Sequence, residues 1–176
     1  RVYGRYGAYA YSARPAFLER MGGLAGPLLG KELRERGWEL DPRELAAGAG
    51  GRFAFETYPH AAHIAHFSLS RILPYKRGAL DQRRAVLAQY CARVRKLALA
   101  ASPALTDDPA LMSLLGAPLE TERGLGLKAI EDQLDAFTCA FMAFVAWRDG
   151  VGGGDIFGDA ENGYICVPGS AAVVAR

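Results

Sequence analysis

The order of apolar and polar positions along the chain predicts helices interrupted by a few short strands. Ser12, with Pro15 three residues on, marks a helix start, since a Ser side chain accepts an orphan N–H and Pro is tolerated in a first turn. That helix runs to about Met21, where Gly22 and Gly23 end it. Pro27 opens a second, carrying Leu28, Leu29 and Leu33 on one stripe up to Gly37, which is well placed as a C′ residue. Trp38 to Leu45 reads as a connection. Phe53 to Tyr58 then alternates, with Phe53, Phe55 and Thr57 on one face and Ala54, Glu56 and Tyr58 on the other, which is strand periodicity ended by Pro59. A short helix is predicted over 60–67, with Ala61, Ala62, Ile64 and Ala65 as its apolar side.

After the loop PYKRG, a long helix from about Leu80 to Ala101 places Leu87, Tyr90, Cys91, Val94 and Leu97 or Ala98 at helical spacing. The run Thr106-Asp107-Asp108-Pro109 is a turn and N-cap signal for a short helix over 109–115, closed by Gly116. The strongest helical pattern covers 129–148 and is apolar on every side from Ala136, which predicts a place in the core. Gly150 to Gly154 is a turn, and 163–167 a short final strand stopped by Pro168. Strands alternating with helices give the α/β class. With two clear strands, the sheet is expected to be incomplete and the remainder rich in helix.

Composition narrows this picture. Of 176 residues, 51% are hydrophobic and 23% charged, the balance of an ordinary globular chain of one domain. Cys91, Cys139 and Cys166 are odd in number and widely spaced, so they form neither a disulfide framework nor a zinc pattern, and a reducing, cytoplasmic setting is expected. The longest run of low polarity, 136–147, is shorter than the about 20 residues a membrane span needs. The first residues, RVYGRYGAYAYSARP, contain no initiator Met and no signal-peptide pattern, so the chain is expected to begin inside a longer protein.

Net charge is +2, but between Arg71 and Lys96 eight basic residues face one acid, a local charge of +7. A solvated helix face and a phosphate-facing surface both account for such a run. The acids are equally uneven. Glu131, Asp132 and Asp135 lie three and four apart, spacings that share a helix face, near a helix N-terminus that favours negative charge. Asp135 sits deeper, on the approach to an apolar segment where an ionised group needs a partner or a metal. Glu56 stands where its strand pattern calls for an apolar side chain. Acids converging from separate elements are what magnesium or manganese requires, while pairing of Glu56 with Arg52 or Arg84 is the competing account. His60, His63 and His66 recur every three residues without an acid to complete a ligand set. Hydrolase and P-loop motifs are lacking, and Cys139 reads as inert core.

Four blocks, FETYPHAA, LPYKRG, DQLDAFTCAF and ENGYICVP, resemble in order and spacing those of the DUF429 family, predicted nucleases of RNase H-like fold. The resemblance extends from about Ala13 to Pro168. It implies an RNase H-like sheet whose acids hold magnesium or manganese for phosphodiester hydrolysis. Glu56 matches the family's strand glutamate and Asp135 its helix aspartate, with Asp132 as a secondary acid. Lys76 matches the lysine of the tyrosine-lysine block and, with Arg77 and Arg83, is expected to face phosphate. The aspartates that the family carries on its first strands are not in this sequence, so a C-terminal portion of the domain is expected. The partners implied are nucleic acid and, through an unpaired sheet edge, the lacking N-terminal segment, another protein or a second copy of the chain. A non-catalytic binding domain and an enzyme acting on a small phosphorylated substrate are the other readings.

Overall fold

The computed structural model describes residues 2–7, 19–20, 23, 25–46, 48, 50–101, 105, 107–159 and 163–169. The helix expected over 12–21 lies, apart from residues 19 and 20, outside them. Among the described residues the fold is mixed α/β: six α-helices and one two-stranded antiparallel sheet. The described residues divide into two compact units, those of 2–58 with 142–169 and those of 59–141.

The first unit contains α1 (Val2–Tyr6), α2 (Ala25–Glu35), a 3-10 turn (Pro42–Glu44), β1 (Asp155–Asp159) and β2 (Gly163–Val167). Gly37 ends α2 as its position predicted: at φ +78° it donates to Arg34 O while Trp38 N–H reaches Leu33 O, the paired bonds of a Schellman motif. Its core is Leu45, Ala146, Val151 and Cys166, with Phe53, Phe55, Ile156 and Tyr164 packed against it. Phe53 and Phe55 thus share the buried face that their alternation predicted. Residues 54–58 nevertheless form no strand, because their backbone groups find scattered partners instead of a ladder. Phe53 makes one parallel bridge to Glu39, and Cys166 N–H donates to Glu56 O at 2.8 Å. The regular sheet is the β1–β2 hairpin, in register from Asp155 opposite Val167 to Asp159 opposite Gly163.

The second unit contains α3 (Pro59–Ala65), α4 (Leu80–Ala100), α5 (Pro109–Leu115) and the first part of α6 (Gly124–Asp149). Pro59 opens α3, in the first turn where its absent N–H costs nothing. The inner side of α3 is Ala61, Ala62 and His63, whereas Ile64 and Ala65 are half-buried. Ala61 and Ala62 are thus buried as expected, and His63 takes the inner place expected of Ile64 and Ala65. The buried stripe of α4 is Leu87, Tyr90, Cys91, Val94, Leu97 and Ala98, as its spacing predicted. Asp108 caps α5 by accepting from Leu111 N–H at 2.7 Å.

Helix α6 begins a turn earlier than its polar start suggested, because Leu127, fully buried, extends the stripe that continues through Ile130, Leu134 and Phe141. It is also less enclosed than expected. Ala136, Ala140, Ala143 and Trp147 are exposed, so the all-round apolar segment buries one face only. No helix among the described residues is long and apolar enough to cross a membrane.

Candidate functional site

Within the second unit the loop between α3 and α4 meets α6 at Asp135. The Tyr75 hydroxyl donates to Asp135 Oδ1 at 2.5 Å, and Lys76 Nζ lies 2.6 Å from Oδ2. Tyr75 is fully buried, its ring stacked on that of His60 at 5.3 Å. Tyr90, on the buried stripe of α4, places its hydroxyl 2.7 Å from Thr138 Oγ1 and 3.3 Å from Asp135 Oδ1. Thr138 Oγ1 donates to Leu134 O, so it accepts from Tyr90, whose single proton leaves the longer contact to Asp135 weak. Tyr75 and Lys76 are therefore the two strong donors to this carboxylate. Burial, with the charge of Asp135 second, pushes the Tyr90 phenol far above its ordinary value and keeps it protonated.

The other helix acids have partners of their own. Glu131, almost wholly buried, accepts from Arg83 Nη2 at 2.6 Å, and Arg83 Nε also reaches Tyr75 O at 3.4 Å. Asp132 faces solvent and pairs with Lys128 one turn back. The helix thus separates acids that the sequence spaced alike: Glu131 is inside, Asp135 at the boundary and Asp132 outside.

The basic segment divides in the same way. Arg84 is held by Asp81 and Glu122 O, Arg93 by Phe67 O and Arg95 by Leu115 O. Arg71, Arg77 and Lys96 are exposed, with no side-chain partner among the described residues. Most of the local charge therefore closes carbonyls and acids within the unit, and Arg71, Arg77 and Lys96 remain open to solvent.

Behind Tyr75 lies a histidine cluster. His63 Nδ1 accepts from Leu73 N–H at 3.2 Å, which puts the ring proton on Nε2, where it meets no hydrogen-bond acceptor. The rings of Tyr90 and Tyr75 stand edge-on to it, with centroids at 4.8 and 5.6 Å. Burial lowers the His63 pKa to about 3, so the imidazole is neutral.

Glu56 belongs to the first unit. Its side chain is exposed and forms no ion pair with Arg52 of the same unit, while Arg84, the other expected partner, is held within the second unit by Asp81 and Glu122 O. Its surroundings still desolvate the carboxyl group enough to raise its pKa.

Among the described residues, no group of three or more His, Cys, Asp or Glu has the geometry of a metal cage. The donor set at Asp135 is a single carboxylate, with Tyr75 on Oδ1 and Lys76 on Oδ2. Magnesium usually takes one or two protein carboxylates and completes its shell with water and substrate phosphate. Asp135 supplies one hard oxygen, Oδ2, whose present partner is an exposed, flexible ammonium. Tyr75, Tyr90 and Thr138 were not singled out by sequence reasoning as parts of this site. The position of Tyr75 directly before Lys76 in LPYKRG was the signal for the first.

No curated protein and no solved structure matches this chain. A family model described as a protein of unknown function, DUF429, matches residues 8–160, nearly the whole chain, which therefore belongs to the DUF429 family.

Proposed function

We propose that this chain is part of an RNase H-like nuclease that hydrolyses phosphodiester bonds with magnesium or manganese, and that Asp135 is one of its metal ligands. The observation that supports this best is the meeting of two sequence blocks, in which Tyr75 and Lys76 of LPYKRG both bond the carboxylate of DQLDAFTCAF. Residues about 60 positions apart along the chain, in blocks of the family pattern, thus converge on one accessible acid. A fold hosts many chemistries, so the reading rests on this site and not on family membership alone.

In this reading Tyr75 orients Asp135, and its buried phenol keeps Oδ1 from rotating away. Lys76 and Arg77 contact the substrate phosphate. Arg83 neutralises Glu131 and so holds α6 against α4, a positioning role in place of the direct phosphate contact expected of it. Glu56, which the family resemblance also implies as a metal-binding carboxylate, lies in the first unit and is assigned no role at Asp135. A bound divalent ion would activate a water and stabilise the leaving oxygen.

Cleavage of a labelled oligonucleotide with manganese or magnesium tests the proposal. Asp135→Asn is expected to lower cleavage on the order of 100-fold, the effect of removing one electrostatic stabiliser. Equal cleavage by wild type and variant overturns the assignment.

A second reading, a non-catalytic domain that binds nucleic acid, is favoured by the pairing of all three helix acids and by the open cations Arg71, Arg77 and Lys96. Oligonucleotide binding that weakens with salt but is indifferent to metal, without cleavage, would select it.

A further inference from the structure

The charge of the second unit reverses along its sequence. The basic run of 71–96 is followed by 97–122, which holds the acids Asp107, Asp108, Glu120 and Glu122 and no Lys or Arg. Part of this acidic stretch walls a groove of about 870 Å³ between α5 and the first half of α6. The lining is largely apolar, with Leu111, Leu114, Ile130 and Phe137, and its charged residues are two acids, Asp108 and Glu122. Neither carboxylate forms an ion pair among the described residues. Arg84 holds only the main-chain oxygen of Glu122 and pairs its own charge with Asp81. Asp108 caps α5 through Oδ1, which leaves Oδ2 for a further donor.

An apolar groove rimmed by acids takes a helix whose apolar anchor stands beside a cation. Helix α4 presents such a face. Ala92, Lys96 and Leu99 are four and three residues apart and so share one side of the helix. All three are exposed, Leu99 at 62%, and Lys96 has no side-chain partner among the described residues. Groove and helix face both belong to the second unit, so every copy of the chain carries both halves of the contact.

We propose that two copies of this chain form a dimer in which Lys96 and Leu99 of each enter the α5–α6 groove of the other. Leu99 leaves water for the apolar lining, and the Lys96 ammonium meets the rim of Asp108 and Glu122. A twofold axis makes the same contact twice, as a self-complementary interface requires. One groove and one helix face are small for a protein interface, so the association depends on concentration, and salt weakens it.

Sedimentation equilibrium of the whole chain at low salt, over a series of concentrations, tests this. Wild type is expected to move from the mass of one chain toward that of two. Lys96→Glu places an acid against the acidic rim and is expected to remain a single chain, and Glu122→Lys to associate more weakly than wild type. An equimolar mixture of the two variants should associate more strongly than either alone, because each reversed charge then meets its opposite on the other variant. Misfolded variants would not recover in this way. Wild type that keeps the mass of one chain at every concentration overturns the proposal and leaves the groove to a basic amphipathic helix of another protein. A dimer that neither variant weakens, or variants that fail to recover on mixing, also overturns it, since the interface then lies elsewhere.

Discussion

The buried imidazole of His63 makes the second unit sensitive to acid. Its pKa is lowered by burial, and further by the neighbouring His60 and Lys76, from 6.5 to about 3. A group whose folded pKa is depressed in this way binds its proton more readily in the unfolded chain. Stability is then complete above about pH 6.5 and falls as the pH drops from there toward 3. Each unit of pH across that window removes about 1.4 kcal/mol per proton. Moving from pH 7 to pH 5 therefore costs about 2 kcal/mol through His63 alone. His60, also lowered by burial and only partly restored by Asp135, acts in the same direction. The raised pKa of Glu56 opposes them, since that carboxyl group takes up its proton more readily when folded. The assay is urea unfolding followed by far-UV circular dichroism at pH 7 and pH 5, for wild type and His63→Phe. The variant is expected to be weaker at pH 7, because Leu73 N–H loses its acceptor, at about 1–3 kcal/mol. Its loss between pH 7 and pH 5 should nevertheless be smaller than that of wild type by about 2 kcal/mol. If both proteins lose the same stability over that interval, the neutral, acid-sensitive imidazole is wrong.

Arg83→Met should destabilise the second unit by about 3–5 kcal/mol, because Glu131 would remain buried without its cation, and adding Glu131→Met should recover most of the loss in the same urea assay. Gly158→Ala should disrupt the hairpin: the residue has φ +103°, and a Cβ there would come within 2.2 Å of Gly163 O, so faster amide exchange of the β1–β2 hydrogen bonds is expected. Burial raises the thiol pKa of Cys91, with Cys139 pushed up to about 11 and Cys166 up to about 12, so a thiolate-directed reagent at pH 7.5 should label none of them until denaturant is added.

Features settled within a few turns of chain were legible in the sequence. The stripe of α4, the Schellman stop at Gly37 and the Asp108 cap each follow from side chains three to five residues apart, and the structure contains all three. The family blocks also marked Lys76 and Asp135, which meet. What local spacing could not decide was which neighbour each polar group would find. Glu131, Asp132 and Asp135 have the same chemistry and nearly adjacent positions. Arg83, Lys128 and Lys76 give them three different fates, two through contacts that span about 50 to 60 residues. The alternating segment 53–58 has the side-chain order of a strand, but strandhood requires a continuous row of backbone partners, and only isolated ones are present. Burial of the α3 histidines likewise depends on the aromatic side chains of Tyr75 and Tyr90 that close over them. The sequence by itself determined the stop of α2, the cap of α5 and the buried stripe of α4, because those free energies are local, but not the face of α2, where Leu28 and Leu29 are exposed. Only the tertiary structure decided which charges are neutralised and which remain open to a ligand, because the cost of a buried or half-buried charge is set by the partner that folding brings to it.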